Sequence, residues 1–380
     1  MNNGNTYLHH AAKTGQIQAY KKALVEEEDK NIRNEGNETS FILACKNGRT
    51  QIVQLLLNKI DLEFDLNAKT KKGSAAFHID LNAIDIYGKT GFHWTCSQGH
   101  TDIIKILMGN AIVLGIDLNA KTKNAHTAFH WACHEGHSDV VKIFMQNATD
   151  LSIDLNTIDN EGWTAFHMAC NKSHLDIIKI LIDTVATSSI DLNAKINTGH
   201  TAFHFACQRG HADVVKLFIQ NAADLSIDLN AIDLVGLSGF HLARGKDVVN
   251  MLMENAATFD IDLNRVDDDG LTGFHHTCDR GDSDVVKIFM QNASDLNIDL
   301  NKIDNSGQTA FSWACLKGHK DVVKIFMQNA LDLNIDLNTR IDGLTGFHYA
   351  CATGDYDLVK IFKEYASTLD IDKFRLLINR

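Results

Sequence analysis

The 380-residue chain contains no proline. No slow X-Pro isomerisation can limit its folding, and no helix starts on the preset φ that proline gives the first helical position. An excess of positive charge is missing too, since 36 Lys and Arg stand against 48 Asp and Glu, a net charge of −12. That balance argues against a nucleic-acid or anionic-membrane surface. No apolar run approaches the roughly 18 residues of a membrane helix. The opening MNNGNTYLHH also lacks a signal-peptide core. The expectation is a cytoplasmic protein, with the nucleus as the alternative, making no direct membrane insertion.

Cysteine is present in an even number, eight, which invites a disulfide framework. Position refutes it. Cys45, Cys96, Cys133, Cys170, Cys207, Cys278, Cys315 and Cys351 recur at one place in a repeated unit. Equivalent atoms of stacked helices lie about 10 Å apart, whereas a disulfide needs Cα atoms within about 7 Å. They are read as small buried hydrophobes, which implies a reducing compartment.

The repeat itself is the dominant feature. The stretch TAFHWACHEGHSDVVKIFMQN, Thr127 to Asn147, has its T-x-F-H opening echoed at Thr90, Thr164, Thr201, Ser238, Thr272, Thr309 and Thr345, with looser copies at Thr6 and Thr39. Successive openings from Thr90 onward lie 37, 37, 37, 37, 34, 37 and 36 residues apart. Such self-similarity means one structural unit stacked many times. In each unit Thr127 should cap a helix over Ala128 to Glu135, with Gly136 supplying a left-handed residue after it. A second amphipathic helix should follow through Val140, Val141, Ile143 and Phe144. Asn147 and its counterparts Asn110, Asn221, Asn255, Asn292 and Asn329 are expected to stop it in the left-handed conformation. Asp139 and Lys142 begin a row of Asp/Lys pairs on its solvent face. A connector, IDLN, and a glycine turn then form a projecting finger, with Gly162, Gly199 and Gly236 at positive φ.

This unit resembles the ankyrin repeat, whose pattern is D-x-x-G-x-T-P-L-H-x-A-A-x-x-G-H followed by an apolar second helix. The resemblance runs from Thr6 to about Ala366. It implies an all-α fold, an ankyrin-type α-solenoid of about ten helix pairs with projecting β-hairpin or turn fingers. The departures are the motif's Pro, which is Ala or Gly throughout, and connectors about four residues longer than the family's 33. Gly91, Gly239, Gly273 and Gly346 are expected to weaken their helices.

The chain divides into an N-terminal cap of two repeats over 1–66, a degenerate repeat lacking its helix pair over 67–89, eight repeats over 90–366, and a C-terminal cap or truncated repeat over 367–380. The degenerate stretch has a false start at Ala75 to His78 and lacks the 22 residues that separate His130 from Ile153. Either pair three stacks directly on pair two, or the array is split. Direct stacking is favoured, because two pairs fall below the roughly three needed for stability. At Ser238 a unit is three residues short, losing most of a turn of its first helix and its Cys.

In the family the motif His tethers neighbouring fingers, and a second His starts helix two. His126, His134, His200 and His276 break that pattern and are the histidines worth testing, and no compact cluster of metal ligands is evident. No nucleophile elbow, phosphate loop or kinase set is present, so neither an enzyme nor a cofactor is expected. Aromatics following the motif His, among them Trp94, Trp131 and Trp313, are read as packing between first helices.

The resemblance implies partner binding through a concave groove. Its candidate residues are those that vary while their surroundings repeat. At the finger tips these are Tyr87, Lys123, Glu161, Leu234, Val235 and Asp269, and at the finger base Lys89, His126, Trp163, His200, Leu237 and Gln308. Near the end of helix one they are His134, Glu135, Lys172, Arg209, Arg280 and Lys317. Trp163 is expected as an exposed aromatic, and Leu234, Val235 and Leu237 as an apolar tip. The expected function is a monomeric scaffold or adaptor that binds a protein partner. The alternative is a regulatory region of a larger enzyme, channel or ubiquitin-ligase adaptor.

Overall fold

A computed structural model of the chain describes residues 4–27, 29–65, 79–340, 343–365 and 369. The false start at Ala75 to His78 and the tail beyond 369 lie outside them. The described residues are helical without strands, apart from isolated antiparallel bridges at Ile232/Ser238 and Ile303/Thr309. They fall into two compact units, Met1–Asn197 and Thr198–Arg380.

Among the described residues each unit is an α-solenoid of five helix pairs. In the first the pairs are Tyr7–Thr14 with Ile17–Glu26, Ser40–Lys46 with Thr50–Asp65, Gly91–Ser97 with Thr101–Gly109, Ala128–Glu135 with Ser138–Asn147, and Ala165–Lys172 with Leu175–Asp183. The third pair sits directly on the second, where the Cα of Gly91 faces the Phe41 ring and the Cys45 sulfur. In the second unit they are Ala202–Arg209 with Ala212–Leu225, Gly239–Leu242 with Lys246–Glu254, Gly273–Arg280 with Ser283–Asn292, Ala310–Lys317 with Lys320–Asn329, and Gly346–Ala352 with Tyr356–Tyr365. No helix of the described residues is long and apolar enough to cross a membrane.

The core is a phenylalanine spine. Phe144 of a second helix lies 5.1 Å from Phe129 of its own pair and 5.9 Å from Phe92 of the preceding one. In the other unit Phe326 repeats this with Phe311 at 5.2 Å and Phe274 at 5.6 Å. Both second-helix rings are fully buried. Burying such a side chain contributes roughly 1.5–3 kcal/mol, and half of each ring's partners belong to another repeat. No pair therefore holds itself together, which is why the units must stack.

Helix starts follow the sequence closely. The Thr90, Thr127, Thr164 and Thr272 hydroxyls each accept the backbone N–H three residues on, and Gly136, Gly210, Gly281 and Gly318 end first helices at positive φ. Two of the Asp/Lys pairs close, Asp139 with Lys142 at 3.3 Å and Asp284 with Lys287 at 3.0 Å.

The recurring asparagine behaves differently from expectation. Asn110 and Asn255 have φ of −108° and −102°, and Asn147, Asn292 and Asn329 are the last residues of their helices. Each turns its side-chain amide back onto the carbonyl four residues earlier, Asn147 onto Ile143 at 2.8 Å and Asn329 onto Ile325 at 2.7 Å. The orphan carbonyls at the helix end are thus satisfied by a side chain. The left-handed residue comes five positions later, at Gly115, Ser152, Ser189, Ser226, Asp260, Asn297 and Asn334.

That displaced turn gives IDLN its purpose. Asn119 donates its amide to the Ser152 carbonyl at 2.9 Å, while its side-chain oxygen accepts the Asp154 N–H at 3.1 Å. Asn82, Asn156, Asn264 and Asn301 do the same toward their own neighbours. An asparagine ladder joins connector to connector within each unit.

Three further expectations need correction. Seven cysteines are buried and free, but Cys351 is exposed. Gly91, Gly239 and Gly346 do more than weaken helices: an added Cβ would stand 2.8, 2.6 and 2.8 Å from the ring of Phe41, Phe203 and Phe311. Trp163 is half-buried, its ring 6.1 Å from that of His167.

Candidate partner-binding face

The fingers are fixed to one another by backbone. Lys123 N–H donates to the Tyr87 carbonyl at 3.2 Å, Asn160 to Asn124 at 3.2 Å and Asn197 to Glu161 at 2.9 Å. In the second unit Leu234, Asp268 and Asn305 continue the scheme onto Thr198, Val235 and Asp269. The motif His locks each finger from below. His93 Nδ1 accepts the Thr90 N–H at 3.1 Å, which leaves the proton on Nε2 to donate to the His126 carbonyl at 3.1 Å. His130 reaches Trp163 at 3.0 Å and His204 reaches Leu237 at 3.0 Å. Burial, outweighing these carbonyls, lowers the pKa of His93 and His130 to about 4, so both rings are neutral at pH 7.

Five of the described fingers open on an aspartate whose side chain organises the turn. Asp85 Oδ1 accepts the N–H groups of Tyr87 at 2.8 Å and Lys89 at 2.9 Å. Asp159, Asp233, Asp267 and Asp304 repeat the two bonds. Oδ2 is left over, and an aromatic N–H meets it. Nine residues on, Trp94 reaches Asp85 at 2.9 Å, His276 reaches Asp267 at 2.7 Å and Trp313 reaches Asp304 at 2.9 Å. Where that later position is apolar, at Met168 and Leu242, the preceding finger's base supplies His126 to Asp159 at 3.0 Å and His200 to Asp233 at 3.5 Å. Of the four singled-out histidines, His126, His200 and His276 therefore act as carboxylate partners. The fourth, His134, lies 3.2 Å from Glu135. Among the described residues no three His, Cys, Asp or Glu gather as a metal site.

Asn34, Thr122 and Ile196 hold the opening position of three other fingers. Nine residues beyond Asn34 and Ile196 stand Leu43 and Phe205, which have no side-chain N–H, whereas Thr122 is followed by Trp131. The Thr122 hydroxyl takes only the His126 N–H, at 3.1 Å. Trp131, nine residues on, has a buried Nε1 with no hydrogen-bond partner. Lys89 extends across this place, 8% exposed, its Nζ 3.3 Å from the Trp131 ring centre and 4.3 Å from that of Trp94. Burial lowers its pKa against the opposing pull of Asp85 and Glu135. A cleft of about 370 Å³ opens here, lined by Tyr87, Lys89, Trp94, Thr122, Lys123, Asn124, His126 and Trp131.

Of the candidate residues, Tyr87, Lys89, Lys123 and His126 thus come together in one cleft, with His134 5.9 Å from Trp131 at its edge. Glu161, Lys172, Arg209, Asp269 and Lys317 are exposed, as are Leu234 at 73% and Val235 at 53%. Leu237 is half-buried and turned to finger bonding. Gln308 is half-buried, with an amide oxygen that lacks a partner. Arg280 has an internal use. It donates to the carbonyls of Ala243 at 2.9 Å and His241 at 3.3 Å, left bare by the three-residue deletion, and pairs with Asp282. In regular repeats the His at the start of the next second helix does this work, His137 on Ser97 at 2.9 Å and His319 on Asp279 at 2.8 Å. Sequence reasoning missed the finger-opening Asp and its partner nine residues later, a pairing legible by reading the two columns against each other.

Paired helices, tethering histidines and laddered fingers define a helical repeat protein. Models of ankyrin repeats match residues 1–70, 72–154, 151–233, 240–336 and 313–362, and the chain belongs to the ankyrin-repeat family. It is 26% identical over 126 residues to Neurogenic locus notch homolog protein 1 of Xenopus laevis, and 27% over 125 residues to its Mus musculus counterpart. Each match covers 28% of this chain and 5% of the relative, so the chain spans a small part of those proteins' length. The solved ankyrin repeat domain of Bcl-3, a member of the IkappaB family, superposes with a TM-score of 0.52 at 20% identity. It covers 66% of this chain and 99% of that one.

Proposed function

We propose that the chain is a protein-interaction scaffold or adaptor, binding a protein partner across its finger tips and first helices and carrying out no catalysis itself. Ankyrin repeats are a domain type that generally mediates protein–protein interaction. The observation that carries the reading here is the contrast between a rigid finger backbone and the side chains it presents. Backbone ladders hold the tips, yet Tyr87 at 61% and Leu234 at 73% stay exposed. Large apolar side chains on a fixed frame lose little entropy on binding and make effective anchors. Affinity capture with the wild type and with a Tyr87→Ser, Leu234→Ser, Val235→Ser variant tests it. Loss of the captured protein from the variant is expected, and equal recovery from both overturns the assignment. A second reading, a regulatory repeat region within a larger protein, draws on the relatives, in which the matching repeats are about 5% of the length. Transcript sequencing that finds a reading frame ending at Arg380 excludes a C-terminal extension of that kind.

A further inference from the structure

Within the proposed binding face, and resting on that reading, we infer that the cleft at Thr122 takes the carboxylate of an acidic side chain from the partner. That group stands in for the aspartate every comparable finger carries itself. The pairing rule sets the requirement. Each described finger with an indole or imidazole nine residues after its opening position has its own Asp to receive the N–H, except this one.

Trp131, Lys89 and Lys123 bring donor-only side chains to the cleft, beside Thr122 and Asn124, which can also accept. Trp131 Nε1 is buried and unpaired, the Lys89 ammonium lies 3.3 Å over that same ring, and Lys123 and His126 line the wall. The nearby acids are engaged elsewhere: Asp85 on Trp94 and two finger N–H groups, Asp159 on His126, and Glu135 on His134. A carboxylate that pairs with Lys89 Nζ arrives beside the indole N–H and can accept from both in charge-assisted bonds. Tyr87, exposed at the mouth, supplies apolar contact for the stem of the side chain. The neutral amide of glutamine brings no charge to the Lys89 ammonium.

The test follows the four indole N–H resonances of the isotope-labelled full chain, with Trp131 assigned through Trp131→Phe. The probe is the peptide acetyl-Ser-Gly-Glu-Gly-Ser-amide. Its Glu→Gln analogue and sodium acetate serve as comparators. The Glu peptide should move the Trp131 signal downfield to saturation, with the Gln analogue about tenfold weaker or worse, the ratio one charge-assisted bond supplies. Thr122→Asp should place the signal downfield before any peptide is added and abolish the response. That variant restores the pattern of the fingers at Asp85, Asp267 and Asp304, so misfolding is not the expected outcome. An unmoved Trp131 signal, an equal response to the Gln analogue, or a response surviving in Thr122→Asp overturns the inference. Acetate matching the peptide at equal concentration overturns its assignment to a partner side chain. Failure here with partner capture still lost in the finger-tip variant removes the carboxylate site alone and leaves the binding face standing.

Discussion

The finger opening at Asp85 and the finger opening at Thr122 are neighbours built to one plan, and they differ in what meets the indole nine residues on. Trp94 has a carboxylate oxygen at 2.9 Å, whereas Trp131 has none. The tethering His, the capping Thr and the buried Phe are the same in both. An unpaired buried donor costs about 1–3 kcal/mol, against a spine of many buried Phe rings that each contribute roughly 1.5–3 kcal/mol. The stack can therefore carry one such defect, and defects of this size are where a repeat protein acquires individual sites. Variation at a tip changes what is displayed, while variation at a finger-opening position changes whether the molecule's own bonding is complete.

The largest effect should be one the two repeats share. His93 and His130 titrate near 4 when folded because of burial, against an ordinary value of about 6.5. Unfolding therefore takes up protons. Their stabilisation is complete above pH 6.5 and falls, for each ring, by roughly 1.4 kcal/mol per pH unit toward pH 4. Urea titrations between pH 7 and 5 should show the loss, and His93→Gln should flatten it as much as His130→Gln does. Next is Asp85→Thr, which turns the first finger into a copy of the second. It removes the acceptor of two backbone N–H groups and an indole, and should cost about 3 kcal/mol by urea denaturation. A loss below 1 kcal/mol would mean the turn holds without its carboxylate.

Gly91→Ala, which copies the Ala128 of the following repeat, should cost about 2 kcal/mol by overpacking. The new Cβ would stand 2.8 Å from the Phe41 ring and 3.0 Å from the Cys45 sulfur. No change in melting would show that the glycine is there for another reason. Smallest is Thr122→Asp, the reverse conversion, which should stabilise by about 1 kcal/mol as the indole gains an acceptor.

Much of this architecture was legible in the residues alone. T-x-F-H marks each first helix because a Thr cap and a tethering His both need fixed spacing from the turn, and Gly136 and its counterparts mark the ends because positive φ selects glycine. The second helix announced itself by apolar pairs such as Val140 and Val141. Other features depend on contacts between repeats and have no local signature. The asparagine ladder of IDLN links residues 33 and 35 apart, for example Asn119 to Ser152 and Asp154, so the motif shows as a repeat without showing why. Asn147 looked like a left-handed stop because composition favours it there, yet its side chain closes the helix itself. Arg280 looked like a free groove residue, and only the deletion 37 residues earlier explains its position. Of the candidate binding residues, the sequence picked out four that line the cleft, because they vary from finger to finger. The Thr122 and Trp131 mismatch is visible in two columns nine residues apart, but its meaning needs the bond from Trp94 to Asp85 that the structure shows.

The difference between the two fingers is tested most directly by a double-mutant cycle joining positions 122 and 131. Urea denaturation would be run on the wild type, Thr122→Asp, Trp131→Phe and the double variant. If the unpaired indole is what separates these fingers, Thr122→Asp stabilises the chain with Trp131 present and loses that gain with Phe in its place, leaving a coupling near 1 kcal/mol. An identical effect in both backgrounds would contradict it.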